Sequence, residues 1–228
     1  DRVGLDKCIL YSNGPITKYI ESSVQIPTEP FDNPEKLVVT KIAVGDSHLI
    51  VLIENGTVFV CGNNTQGQLS INPLEKSEVY GLEYHESINK KYEVVDIGCG
   101  SNHSVFIVID RESTNNDRKI LTWGYHGCLG VLDVNEDEYR LQSVKIPSLS
   151  DYDKIEFLIW KFNSSAVLDD DNNLYYWGDD FDGFRERIPE KKKLFGDRRI
   201  VDISFGFRHA VALIEDGTVY TWGDGKPF

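Results

Sequence analysis

The chain has 228 residues, of which 40% are hydrophobic and 27% charged, a composition typical of a folded globular protein. Its formal net charge of −13 disfavours binding to nucleic-acid phosphates or anionic lipid surfaces. No apolar run approaches the roughly 18 residues that a bilayer-spanning helix needs. We therefore expect a protein partner, with no direct binding to nucleic acid or to a membrane.

From residue 39 onward, one short motif recurs along the chain. In its first copy, residues 42–62, Gly45 and His48 precede an apolar run that ends at Asn55-Gly56, and a second apolar run follows. Asn-Gly is a preferred dipeptide of type I′ hairpin turns, and Val, Ile and Phe crowd the flanking segments. The motif therefore predicts a β-hairpin.

Three further copies follow in chain order. The second, residues 97–124, has seven additional residues between its two strands, and the fourth, residues 203–223, turns at Asp216-Gly217. The third, residues 158–178, is more divergent and has Asn172 at the glycine position of the turn. The histidine-equivalent positions are 48, 103, 164 and 209, which gives periods of 55, 61 and 45 residues. Several short strands in a unit of about 50 residues predict a β-propeller.

The full motif closely resembles the repeat of the RCC1-like (regulator of chromosome condensation) family. It reads Gly-x-x-His, an apolar run, an acidic residue with Asn-Gly or Asp-Gly, then Trp-Gly, and the match extends through GNNTQGQL at 62–69 and WGYHGCLG at 123–130. The resemblance covers about residues 39 to 224 and implies an all-β, seven-bladed propeller of four-stranded blades.

About four to five of these blades are visible in the chain. We predict repeats at 39–93, 94–153, 154–198 and 199–228, preceded at 1–38 by a partial or divergent blade and a connecting segment. The chain contains no Met. With four clear repeats where the resemblance implies seven, we expect the remaining blades to lie outside this chain.

The histidines of the motif invite a metal or catalytic interpretation. His48, His103 and His209 occupy the same place in three repeats, and equivalent positions spread around a ring rather than converge. We therefore predict that each one hydrogen-bonds the turn before its strand. Tryptophans that recur once per repeat are predicted to pack between blades: Trp123, Trp177 and Trp222.

Nothing in the sequence indicates covalent catalysis. It shows no nucleophile–base pair, no phosphate-binding glycine loop and no zinc-binding spacing, and Asp169-Asp170-Asp171 aligns with hairpin turns rather than with a calcium loop. We predict no catalytic residue, no cofactor and no metal. The four cysteines lack Cys-x-x-Cys spacing, which favours a reducing intracellular compartment, cytoplasmic or nuclear.

Three features break the repeat: a polar insertion at 110–119, the replacements Lys161 and Ser164, and the segment 179–185. Drift in a degenerate repeat explains all three. The alternative is that loops on a rigid scaffold carry function, and two aromatic residues among acids suit a protein interface. On that alternative, the partner-binding residues are Asp179, Asp180, Phe181, Asp182, Phe184 and Arg185.

Three functions remain open. The leading hypothesis is a protein–protein interaction propeller, a scaffold or regulatory module of a larger intracellular protein. The resemblance also allows a guanine-nucleotide exchange factor for a Ran-type small GTPase, which would act by stabilising the nucleotide-free GTPase. The third hypothesis is a substrate-recruiting module of a ubiquitin ligase. The expected partner is thus a small GTPase or a basic protein that the acidic residues attract.

Overall fold

The computed structural model describes residues 37–132, 136–146, 149, 151–161, 163–179, 185–192, 195–196, 198–205 and 209–223. The first sheet contains β1 (Val39–Val44), β2 (His48–Ile53), β3 (Val58–Asn63) and β4 (Glu78–Tyr84), and the second contains β5 (Tyr92–Cys99), β6 (His103–Asp110), β7 (Arg118–Gly124) and β8 (Glu138–Val144). The third contains β9 (Ile155–Lys161), β10 (Ser164–Asp169), β11 (Leu174–Asp179) and β12 (Arg185–Lys192), and the fourth contains β13 (Ile200–Phe205), β14 (His209–Ile214) and β15 (Val219–Gly223). Between them lie helix α1 (Glu86–Lys91) and two 3-10 turns, His126–Cys128 and Tyr152–Lys154. Almost all of the segment 1–38, predicted as a divergent blade, falls outside the described residues.

Each sheet is an antiparallel meander in which the strands pair in chain order. The second and third strands of every sheet meet in the same register. The histidine-equivalent residue is always the Cα partner of the motif's last glycine: His48 with Gly62, His103 with Gly124, Ser164 with Gly178, and His209 with Gly223. The sequence repeat is therefore a structural repeat, and the all-β prediction is confirmed. No helix among the described residues is long and apolar enough to cross a membrane.

The hairpin turns differ from the predicted type I′. Gly56 has φ +77°, but Asn55 is not among the residues with positive φ, whereas a type I′ turn needs positive φ at both positions. The Gly56 N–H donates to the Ile53 carbonyl at 2.9 Å and the Ile53 N–H to the Thr57 carbonyl at 3.0 Å. This is a three-residue turn that ends in a left-handed residue, and Asn172 takes that place in the third sheet with φ +62°.

Apolar clusters hold the sheets face to face. Strand β2 is buried at all six positions because it lies inside its sheet with apolar side chains on both faces. One cluster lies between the first and second sheets and includes Trp123, and the next lies between the second and third and includes Trp177. Trp222 contacts the cluster between the third and fourth sheets. Each tryptophan therefore packs between neighbouring sheets, as predicted.

The meander brings the same kinds of connection to the same end of every sheet. We call the connections between the third and fourth strands the exit loops; they are residues 64–77, 125–137 and 180–184 in the first three sheets. The connections between first and second strands lie at this same end, which we call the exit-loop end. The hairpin turns and the connections between sheets lie at the opposite end.

Candidate functional site

Two buried histidines join neighbouring sheets. His48 and His103 are 0% exposed. Nε2 of His48 lies 3.1 Å from Oγ of Ser104 in the second sheet, and Nε2 of His103 lies 2.7 Å from Oγ of Ser165 in the third. The turn before β2 is closed by the backbone, where the Gly45 N–H donates to the His48 carbonyl at 2.8 Å. The structural role is confirmed, but the side-chain partner is a serine of the next sheet rather than the turn. The described residues contain no group of side chains suited to a metal.

A hydrogen-bond network connects these histidines to the exit loops. Oγ of Ser104 donates to the carbonyl of Gln68 in the first exit loop at 2.7 Å, so this hydroxyl can only accept from His48. Nε1 of Trp123 donates to the same carbonyl at 2.8 Å. Burial lowers the pKa of His48 to about 4 and that of His103 to about 3, so both rings are neutral at neutral pH. The Gln68 carbonyl of the first exit loop thus accepts hydrogen bonds from two side chains of the second sheet, Ser104 and Trp123.

The third and fourth sheets depart from this pattern. Ser164 replaces the histidine, and its hydroxyl lies 2.9 Å from that of Tyr176 in its own sheet. Ala210 occupies the place that serine has in the second and third sheets. His209 is exposed at the start of β14. His209 therefore does not share the burial of His48 and His103. The turn before it, at 206–208, lies outside the described residues, so its predicted hydrogen bond to that turn stays a prediction.

A single buried side chain holds the first exit loop. Asn64 is 0% exposed, and its Nδ2 donates to the carbonyls of Ile71 at 2.9 Å and Lys76 at 2.7 Å. Its Oδ1 accepts the N–H of Leu69 at 2.9 Å. Because one amide satisfies three backbone groups across the loop, the loop has a fixed shape, and it presents Leu74 with 96% exposure.

The second exit loop is fastened to the first loop and to the third sheet. Asp137 accepts from the backbone N–H of His126 at 3.2 Å, and its other oxygen accepts from Nε2 of Gln66 in the first loop at 3.1 Å. Nε1 of Trp177 donates to the carbonyl of Cys128 at 3.0 Å. The equivalent bond one repeat earlier joins Trp123 to the carbonyl of Gln68. Two neighbouring exit loops therefore form one connected surface.

This surface combines exposed apolar side chains with acidic residues. Leu132 in the second exit loop is 57% exposed. Among the described residues, the connections at the exit-loop end carry four acidic residues and one basic residue, whereas those at the opposite end carry ten and seven. The described residues of these connections at the exit-loop end are 45–47, 64–77, 100–102, 125–132, 136–137 and 163. An excess of one sign over one end attracts partners of the opposite charge.

The structure places only the flanks of the predicted partner-binding segment. Asp179 ends β11 and Arg185 begins β12, and the two residues are Cα partners. Their connection leaves the third sheet at the exit-loop end. The other four predicted residues, Asp180, Phe181, Asp182 and Phe184, lie outside the described residues, so their contact with a partner stays a prediction.

Sequence reasoning missed the two exposed leucines. Leu74 follows Asn72-Pro73, and Leu132 precedes Asp133. An apolar residue inside a turn-forming polar stretch is the signal that could have found them. The polar insertion, by contrast, lies at the opposite end as the connection 111–117 between β6 and β7.

Two family models of the regulator of chromosome condensation (RCC1) repeat match the chain. One matches residues 39–68 and 200–226, and the other matches residues 55–107. The chain contains RCC1-type repeats. The resemblance to the RCC1-like repeat family, first seen in the Gly-x-x-His and Trp-Gly motifs, is thereby confirmed.

Curated relatives carry different activities. The guanine nucleotide exchange factor SRM1 of Saccharomyces cerevisiae is 25% identical, over 97% of this chain and 51% of its own length. The E3 ubiquitin-protein ligase HERC2 of Homo sapiens is 26% identical over 89% of this chain but 4% of its own length. The ultraviolet-B receptor UVR8 of Arabidopsis thaliana is 29% identical over 82% of this chain and 42% of its own. The chain thus spans about half the length of SRM1.

Solved structures support the propeller fold. Human WBSCR16 superposes with a TM-score of 0.66 at 20% identity, over 85% of this chain and 49% of that protein. Prp20p of Saccharomyces cerevisiae superposes with a TM-score of 0.59 at 25% identity, over 83% and 46%. The four sheets described above are therefore propeller blades.

Proposed function

We propose that this chain is a protein-binding RCC1-type propeller module and that it contacts its partner through the exit-loop end. One observation carries the proposal: two adjacent exit loops are hydrogen-bonded to each other through Gln66 and Asp137, yet expose Leu74 and Leu132. A surface fixed before binding loses little conformational entropy when a partner docks. Exposed apolar side chains supply the contact area that dominates binding energy.

The charge of the exit-loop end favours a basic partner. Among the described residues of this end, four acidic residues against one basic residue would raise the rate of association with a basic partner at low salt, and this attraction would be screened as salt increases. Among the relatives, yeast Prp20p has binding properties to Gsp1p and histones, and yeast RCC1 (Prp20) has been crystallised with Kap60 bound. These partners belong to those proteins, and they supply the probes for this one.

The segment from Asp179 to Arg185 extends the proposed surface to a third sheet. Its flanks lie at the exit-loop end, next in chain order to the two leucine-bearing loops. Phe181 and Phe184 would serve as apolar anchors, and the acids around them would form a charged rim.

The test uses purified core histones and a nucleotide-free Ran-type GTPase as probes in surface-based binding measurements. Changing Leu74 and Leu132 together to Ala, or Phe181 and Phe184 together to Ala, should weaken binding of at least one probe by about 2 kcal/mol, or roughly thirtyfold. The melting temperature should stay unchanged.

Val38→Ala is the matched control, because Val38 is 52% exposed and its carbonyl accepts the N–H of Glu54, in the hairpin turn at the opposite end of the first sheet. Wild-type binding by the leucine double variant, or loss only with Val38→Ala, would remove the exit-loop end from consideration. Wild-type binding by the phenylalanine double variant would remove only the segment 179–185.

A second candidate function is nucleotide exchange on a Ran-type GTPase. The observation that favours it is the similarity to SRM1 over 97% of this chain. Exchange requires no covalent chemistry, because binding the nucleotide-free GTPase more tightly than the loaded form suffices. Excess chain should then accelerate the release of fluorescent GDP, and an unchanged release rate would exclude the activity for this chain. The ligase-recruitment hypothesis is supported only by the likeness to HERC2 and remains a prediction.

A further inference from the structure

One tyrosine of the first sheet projects from the outer strand β4. Tyr80 is 82% exposed, whereas the other tyrosines that the structure describes are buried or half-buried. Two flanking residues of β4, Val79 and Leu82, are 1% and 6% exposed, so the segment is held on its sheet. The phenol of Tyr80 is therefore presented to solvent from a fixed strand.

The backbone around Tyr80 is also accessible. Among the described strands, β4 pairs only with β3, so its other edge is free. The pairing is irregular between Val79 and Glu83, which places Tyr80 and Gly81 in a bulge. A Cβ added to Gly81 would meet nothing within 4 Å. An enzyme can therefore approach this segment along its free edge.

Carboxylates flank the tyrosine in sequence. Glu78 lies two residues earlier, and its carboxylate accepts a hydrogen bond from the Tyr80 hydroxyl, which raises the pKa of the phenol. Glu75 precedes it, and the only lysine or arginine within residues 75–85 is Lys76, which pairs with Glu83 at 2.6 Å. Protein kinases distinguish their substrates by such charge patterns.

We propose that Tyr80 is a phosphorylation site for a protein tyrosine kinase that selects acidic residues before the tyrosine. A nucleoside triphosphate held by the kinase is the phosphoryl donor. The bond from its γ-phosphorus to the bridging oxygen breaks and the nucleoside diphosphate leaves, while a bond forms from that phosphorus to Oη of Tyr80 and the phenolic proton passes to a base of the kinase. The phosphate adds roughly −1.5 to −2 charge units at pH 7 beside Glu78. The modification does not depend on partner binding at the exit-loop end.

Tyr139, on the outer strand β8, has the more acidic sequence but is less accessible. It follows Glu136-Asp137-Glu138, three acidic residues in a row. Its side chain is half-buried, and Gly67 of the first exit loop packs so closely that an added Cβ would lie 2.8 Å from Cβ of Tyr139. Charge pattern alone therefore favours Tyr139, whereas the folded structure favours Tyr80.

The test incubates the full chain with MgATP and the catalytic domain of a tyrosine kinase that prefers acidic peptides, and locates phosphate by peptide mass spectrometry. Phosphate should appear on Tyr80 about tenfold faster than on Tyr139, because Tyr139 reacts only when its surroundings open. Tyr80→Phe should remove the Tyr80 signal and leave the melting temperature unchanged, since this ring is exposed. In matched synthetic peptides, 73–83 and 132–142, the peptide with Tyr139 should react at least as fast.

Glu78→Gln tests the charge, because glutamine still accepts a hydrogen bond from the Tyr80 hydroxyl but carries no charge. Its kcat/KM for phosphorylation of Tyr80 should fall about fivefold. Glu112→Gln, an exposed change in the connection 111–117 at the opposite end, should leave it unchanged. Absence of phosphate on Tyr80 in the folded chain, faster reaction of Tyr139 there, or the same preference for Tyr80 in the free peptides overturns the proposal. An unchanged rate with Glu78→Gln overturns the acid selectivity.

Discussion

The hydrogen bond between His48 and Ser104 gives the sharpest test of how the repeats are joined. Ser104→Ala removes a hydroxyl that accepts from Nε2 of His48 at 3.1 Å and donates to the carbonyl of Gln68 at 2.7 Å. The carbonyl keeps its second donor, Nε1 of Trp123 at 2.8 Å. The imidazole N–H, which is 0% exposed, is left without an acceptor. One unsatisfied buried donor costs about 1–3 kcal/mol.

The assay is urea unfolding followed by tryptophan fluorescence, supported by thermal melting. For a chain of this size, each kcal/mol lowers the melting temperature by about 2–4 °C. The matched control is Thr122→Val, because the Thr122 hydroxyl is buried in the same sheet and has no hydrogen-bond partner among the residues that the structure describes. That substitution should be neutral or slightly stabilising. If Ser104→Ala matches wild type within about 0.3 kcal/mol, or if Thr122→Val costs as much, the joining role of the hydrogen bond is refuted.

Three further predictions concern the same framework. Because the pKa of His48 is about 4 in the folded chain against an ordinary 6.5, the unfolded state binds more protons below pH 6.5, and stability should fall as the pH drops towards 4. In His48→Gln, the number of protons taken up on unfolding between pH 4 and 6.5 should fall by about one. The slope of the unfolding free energy against pH should therefore decrease by ~1.4 kcal/mol per pH unit. Gly100→Ala should destabilise by about 1–3 kcal/mol in urea unfolding, since the added Cβ would clash with the imidazole ring of His103. Gly81→Ala, with nothing within 4 Å of the added carbon, should be tolerated. Trp177→Phe should speed amide hydrogen exchange in the second exit loop, whose carbonyl loses its indole donor, and unchanged exchange would contradict the anchoring role.

The sequence by itself determined the repeat and much of its local structure. The recurring Gly-x-x-His and Trp-Gly motifs, with turn dipeptides between apolar runs, predicted hairpins in the same register, and all four sheets have that register. Local patterns can do this because strand pairing within a hairpin depends on residues close in the chain. The turn type was wrong because Asn55 does not adopt the left-handed conformation that a type I′ turn requires, and only Gly56 does.

Only the tertiary structure decided which groups meet across sheets. His48 and Ser104 lie 56 residues apart in sequence, and Gln66 and Asp137 lie 71 apart, so no local pattern specifies either contact. The same motif residue is buried as His103 and exposed as His209 because burial depends on whether a following sheet covers it, a property of the neighbour rather than of the residue. The exit-loop surface arises in the same way, since the stacking of sheets brings separate loops to one end and fixes them there.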